Sequence, residues 1–155
     1  MPQVIRNKAF ETNSSSCHSI TIVGGKYIND CVSLKNENGE LHIHAGEFGW
    51  EQEIYHDFNT KASYLVTDIM SALGEDSDRG RLLKKAISDI TSIPVDKIKF
   101  VPLSEKHWNK PNEADWGYID HQSIGVADDA FASEQTLKDY LFNHASYLET
   151  DNDNH

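Results

Sequence analysis

The spacing of apolar residues changes period once along this chain, and that change limits the folds open to it. Before Asn59 the pattern alternates. The stretch HSITIVGG sets Ile20 and Ile22 between polar neighbours and stops at a glycine pair, and CVSLKNENGELHIHAG alternates at Val32 and Leu34 and again at Leu41 and Ile43. A two-residue period belongs to strands with one buried face, and Asn38-Gly39 between the two arms supplies positive φ angles, so this segment is predicted as a hairpin. From Asn59 the period becomes helical: Leu65, Ile69 and Leu73 fall at i, i+4 and i+8, with Asn59 or Thr60 as cap and Gly74 as stop. A second helix follows, capped by Asp78, burying Leu82, Leu83, Ala86, Ile87 and Ile90, turning Arg81, Lys84 and Lys85 outward, and blocked by Pro94.

Ile98 and Phe100 mark a strand in DKIKFVPL, residues 105–114 read as a loop, and WGYIDHQSIGV reads as a short strand and turn. Ser133 caps a third helix through Leu137, Tyr140 and Leu141, with Asn143 as a left-handed terminator, and SYLET closes the chain as a strand. Strands first, then helices and strands mixed, predict an α+β fold: a mostly antiparallel sheet with about three helices packed on one face. At 155 residues, with no repeat and no low-complexity linker, the chain is expected to form one domain over residues 1–155.

Charge is distributed unevenly. Residues 1–110 hold 15 acids against 13 bases, whereas residues 111–155 hold 10 acids against Lys138 alone, so the last third carries −9 of the net −11. Such a surface repels phosphates, which makes direct nucleic-acid groove binding by this part an unfavourable reading. Three roles remain for it: a solvated face, a divalent-cation site built from clustered oxygens, or mimicry of a phosphate backbone toward a host protein that binds nucleic acid. The opening MPQVIRNKAFETN has no apolar core of a signal peptide, the longest apolar runs are a few residues, and the only cysteines are Cys17 and Cys31. These features predict a cytoplasmic protein with no membrane span.

The chemistry-bearing residues fall in a few phrases. TNSSSCHS at 12–19 offers Asn13, Ser14, Ser15 and Ser16 as hydroxyl, amide and backbone donors of the kind an oxyanion or phosphate cradle needs, with His18 as a base. From spacing alone the phrase reads as a polar lead-in to a strand, since such side chains bond their own backbone readily. His42 and His44 share one strand face, with Glu47, Glu51 and His56 nearby as further metal ligands, although the same alternation describes the wet face of a hairpin, which is the favoured reading. GYIDHQS places Asp120 beside His121, a general acid/base pair or metal ligands. The tail DNDNH adds Asp151 and Asp153 as oxygen ligands, without the glycine and distal Glu of a calcium loop.

FETNSSSCHSITI, GYIDHQS and SYLETDNDNH resemble a set of small, uncharacterised proteins encoded by bacteriophages and bacteria, whose members open with a similar E-T-N-S-S-S-x-H-S phrase. The resemblance covers the two ends of the chain and carries no activity with it. It implies that Glu11, Asn13, Ser14, Ser15, Ser16 and His18 belong to a family feature, and it puts Cys17 at the variable position, where a nucleophile is not expected.

Two functions from different classes are therefore expected. The first is a phage-type accessory enzyme, a metal-assisted hydrolase or transferase acting on a nucleotide or nucleic acid. In it Asn13, Ser14, Ser15 and Ser16 bind substrate, His18, His121 and Asp120 transfer protons, and Asp120, Asp151 and Asp153 hold a divalent metal. The alternative is a non-enzymatic acidic inhibitor of a host nucleic-acid-processing or defence protein, presenting Asp115, Asp128, Asp129, Glu134, Asp139 and Glu149 in place of phosphates.

Overall fold

In the computed structural model, the residues described are 17–25, 27–28, 35, 38–49, 51–120, 123 and 125–151. The fold is α+β. Strand β1 (Ser19–Thr21) is followed by β2 (Leu41–His44), β3 (Glu47–Phe48) and β4 (Glu53–Tyr55). Helices α1 (Phe58–Ala72) and α2 (Asp78–Thr91) come next, then β5 (Ile98–Val101), β6 (Tyr118–Ile119), a 3-10 segment (Val126–Ala132), α3 (Glu134–Phe142) and β7 (Tyr147–Thr150). One antiparallel sheet has the order β1-β7-β4, and two further pairs, β2-β5 and β3-β6, are parallel.

The expected hairpin is seen through one arm only. Gly39 does turn at φ +76°, but β2 pairs in parallel with β5, Leu41 opposite Ile98 and Ile43 opposite Phe100, and the arm containing Val32 and Leu34 lies outside the described residues. Parallel partners need a long crossover, and the chain provides it as α1 and α2 together. The alternation itself was informative: Leu41, Ile43, Ile98 and Phe100 are buried, while His42 and His44 face outward.

Helix α1 is the centre of the core. It contacts β2, β6, α2 and α3, and Phe58, Ala62, Tyr64, Leu65, Val66 and Ile69 are all buried. Its cap is Asp57, which accepts the Thr60 N–H at 2.7 Å, earlier than the predicted Asn59 or Thr60. Two polar residues on the buried side are satisfied by backbone. Lys61, wholly buried, donates to the carbonyls of Asn143 and Ser146, both at 3.1 Å, and so ties α1 to the turn between α3 and β7. Thr67 donates to the Ser63 carbonyl at 2.8 Å and accepts the Gly46 N–H at 2.9 Å, fixing α1 against the β2–β3 connection.

Helix α2 is capped by Ser77, with Asp78 in the first turn beside the positive helix end. Helix α3 begins in a reciprocal box: Ser133 Oγ accepts the Thr136 N–H at 3.1 Å, and Thr136 Oγ1 accepts the Ser133 N–H at 2.9 Å. Replacing Ser133 by alanine is expected to destabilise the protein by about 1 kcal/mol, measurable as a lower urea midpoint with an unchanged slope. Asn143 does not end α3 in the left-handed region; its backbone is extended at φ −108°, ψ 116°. Its side chain explains the difference, because Nδ2 donates to the Val23 carbonyl at 2.8 Å while Oδ1 accepts the Ala145 N–H at 2.9 Å.

Candidate functional site

Three phrases far apart in sequence meet at one seam. β1 pairs with β7 with Ser19 opposite Glu149, which carries Cys17 alongside Asp151: the Cys17 N–H donates to the Asp151 carbonyl at 2.9 Å. One residue on, the His18 N–H donates to Ser123 Oγ at 3.1 Å, and the Ser123 N–H donates to the Asp120 carbonyl at 2.8 Å. Asp120 is itself placed by the β3-β6 pair, its N–H donating to the Phe48 carbonyl at 2.8 Å. The described ends of the opening phrase, of GYIDHQS and of the C-terminal phrase thus share one network.

His18 is the centre of that network and is 3% exposed. Its Nε2 lies 2.6 Å from the Gly49 carbonyl and its Nδ1 3.0 Å from the Tyr64 hydroxyl. A carbonyl only accepts, so Nε2 carries the proton and Nδ1 accepts from Tyr64. Burial pushes the His18 pKa down, and the Gly49 carbonyl and the carboxylates of Glu51 and Asp120 only partly oppose it. Burial also raises the Tyr64 hydroxyl well above its ordinary value, with the charges of Asp68 and Glu51 adding to the effect, so Tyr64 remains a donor. His18 is therefore a neutral imidazole of defined tautomer, packed edge-on against Tyr64 with ring centroids 5.7 Å apart.

Glu51 is the other focus. Its Oε1 accepts the Gly49 N–H at 3.0 Å, while its Oε2 is buried with no hydrogen-bond partner among the described residues. Its charge acts on His18, Tyr55, Tyr64 and Tyr118 alike. Beside the seam, an open depression of about 390 Å³ is lined by Gln52, Glu53, Ile54, Glu149 and Thr150. The charged groups here are carboxylates, a field that disfavours a bare phosphate and favours a cation.

Of the residues singled out from sequence, His18, Asp120 and Asp151 are brought together. Asn13, Ser14, Ser15, Ser16, His121 and Asp153 lie outside the described residues. Among the described residues no three His, Cys, Asp or Glu side chains are grouped to hold a metal ion, and this applies to the His42 and His44 set as well. His42 Nε2 lies 3.0 Å from Glu40 Oε1, Glu51 belongs to the His18 network, and His56 Nδ1 meets the His144 carbonyl at 2.6 Å. Tyr64 and Gly49 carried no signal in sequence, since a tyrosine on an apolar helix face and a glycine between strands look like ordinary core and turn.

Of the carboxylates in the acidic third, Asp128 and Glu134 are matched by ion pairs among the described residues. Arg79 bridges Asp68 at 3.2 Å and Asp128 at 2.7 Å, while Lys85 and Lys138 both reach Glu134, at 2.8 and 2.9 Å, and both reach Asp89. Arg81 and Lys84 pair with Asp78 and Glu75. Arg81 and Lys85 face solvent as expected while Lys84 is largely covered, and these three cations pair with acids of their own helix, its lead-in and α3. Among the described residues no helix is long and apolar enough to cross a membrane.

No family model matches the chain, and no curated protein or solved structure gives a significant match.

Proposed function

We propose that this chain is a phage-type accessory protein, related to the bacteriophage and bacterial set that its end phrases resemble, working in the cytoplasm of a bacterial host. Its site is the seam at His18, where it acts as a metal-assisted hydrolase or transferase on a phosphate-containing ligand, a nucleotide or a nucleic-acid end. The single observation that carries this reading is the convergence of the three polar phrases, through the Cys17–Asp151 and His18–Ser123 hydrogen bonds. Core packing alone does not require the polar segments of a chain to be gathered in one place.

The chemistry of the donors divides the roles. With both ring nitrogens engaged, His18 is a positioning residue that holds the opening phrase against α1 and the Gly49 turn. Proton transfer falls to Asp120 and His121. Carboxylates repel phosphate unless a divalent cation stands between them, so Asp120, Asp151 and Asp153 serve as metal ligands, and the serine phrase supplies neutral donors. The alternative of a phosphate-mimicking inhibitor loses two of its six carboxylates, because Asp128 and Glu134 already face Arg79, Lys85 and Lys138.

The test is a thermal-shift titration of chelator-treated protein with Mg²⁺ or Mn²⁺, alone and with nucleoside mono-, di- and triphosphates. A ligand at a hundred times its dissociation constant adds about 2.7 kcal/mol to stability, several degrees in a domain of this size. Asp120→Asn and Asp151→Asn keep the backbone contacts of the seam and are expected to lose the shift. An absent shift for every metal and nucleotide combination, or an undiminished one in both variants, would refute the proposal.

A further inference from the structure

The most exposed large apolar side chain among the described residues is Trp108, at 85%. It stands on a loop closed by its own backbone hydrogen bonds. The Leu103 N–H donates to the Asp115 carbonyl at 2.7 Å, the Asp115 N–H to Ser104 at 2.8 Å, and the His107 N–H to Glu113 at 2.7 Å, which makes a hairpin-like arm with residues 108–112 at its tip. The Trp108 ring is stacked on the His107 ring, centroids 5.7 Å apart and planes 27° from parallel, and His107 is oriented by the Asn109 N–H donating to its Nδ1 at 3.0 Å. One aromatic plane is thus supported behind and open in front.

Its electrostatic setting differs from the rest of the molecule. Every cation of α2 and α3 has a carboxylate partner, whereas Lys97, Lys99, Lys106 and Lys110 make no ion pair among the described residues. The arm, residues 103–115, holds Lys106 and Lys110 on either side of Trp108 against Glu105, Glu113 and Asp115, a near balance in a chain of net −11.

We propose that the arm is a binding site for single-stranded nucleic acid, with Trp108 stacking on a base and Lys106 and Lys110 following the phosphates. A protein-docking tryptophan sits inside an apolar annulus that excludes water. Here residues 105, 106 and 109–113 are polar or proline and exposed, and His107 is half-buried. A membrane surface needs more apolar area than one ring. Stacking beside unpaired lysines is the arrangement that holds unpaired strands. This surface is separate from the His18 seam and stands or falls without it.

The experiment is fluorescence anisotropy of a labelled oligothymidylate with the full chain at low salt, followed by quenching of the tryptophans. Trp108→Ala is expected to weaken binding roughly five- to a hundred-fold and to remove the quenching, while Trp108→Phe, which keeps a π face, retains most of the affinity. The double change Lys106→Gln with Lys110→Gln should lower the slope of log K against log salt by about 1.4. Lys106, Trp108 and Lys110 are exposed, so these variants keep the fold. No binding by the unmodified protein, equal binding by Trp108→Ala, or binding to anionic phospholipid vesicles in place of the oligonucleotide would each overturn the proposal.

Discussion

Alanine at Gly117 is expected to cost about 2–5 kcal/mol of stability and to take the seam apart. Gly117 sits at φ +70°, where an L side chain is strained by about 1–2 kcal/mol. A Cβ there would lie 2.0 Å from the Gly46 carbonyl oxygen and 2.8 Å from its carbon, an overlap only backbone movement can relieve, at about 1–3 kcal/mol more. Gly46 cannot yield, because its N–H is held by Thr67 Oγ1 and its carbonyl accepts the Tyr118 N–H at 3.1 Å. A Cβ on Gly46 itself would stand 2.9 Å from the Phe48 ring. β6 must therefore withdraw from β3, moving Asp120 and with it Ser123 and the anchor of His18. Gly39→Ala is the control: its φ of +76° carries the same backbone strain, with nothing within 4 Å of the added methyl. Urea unfolding of both variants separates strain from collision, and equal losses would show that the Gly46–Gly117 approach is not what holds the seam.

That approach was not legible in the sequence, and the reason is general to this fold. Local period is a property of neighbouring residues, and it located β1, β2, α1, α2, β5, β6, α3 and β7 and most of their buried positions, although Leu73 is exposed, Ile22, Leu82 and Ile90 are half-buried, and α1 and α2 are capped by Asp57 and Ser77. Partner choice is not local. Leu41 and Ile43 are buried whether β2 pairs in a hairpin or in parallel with β5, so alternation could not distinguish the two. β6 is the short strand expected in WGYIDHQSIGV, but two-residue strands have no period that names a partner, and β3 and β6 pair because two glycines let the backbones meet. The site divides the same way. His18 and Asp120 were visible as polar residues beside strands, but the tautomer of His18 depends on Tyr64 and Gly49, which are 46 and 31 residues away. The charge count gave the acidic third correctly and could not give the pairing of its Asp128 and Glu134 with Arg79 and Lys85, because those cations belong to another helix.

Stability is expected to fall as pH drops below about 6.5, the ordinary histidine pKa, with His18 as an identifiable contributor. The His18 pKa is lowered in the folded state, so below 6.5 the unfolded chain binds a proton that the folded protein refuses. The stabilisation is thus complete above 6.5 and is lost as pH falls toward the folded value, at up to about 1.4 kcal/mol per pH unit for one proton. Glutamine separates this effect from the carboxylates that titrate nearby. It can donate to the Gly49 carbonyl and accept from Tyr64 without ever charging, so the gap between the unmodified protein and His18→Gln should narrow between pH 7.5 and 5.5. A gap that stays constant over that range would show that His18 is not held neutral by the fold. His18→Ala is the harsher change, expected to cost about 2–4 kcal/mol at pH 7.5, since it leaves the Tyr64 hydroxyl and the Gly49 carbonyl buried without partners and opens a cavity. The same glutamine variant bears on mechanism. A positioning residue can be replaced by an uncharged group that makes the same two hydrogen bonds, whereas a proton-transfer residue cannot. Retained turnover of a metal–nucleotide substrate in His18→Gln therefore assigns proton transfer to Asp120 and His121, and its loss with the fold intact assigns it to His18.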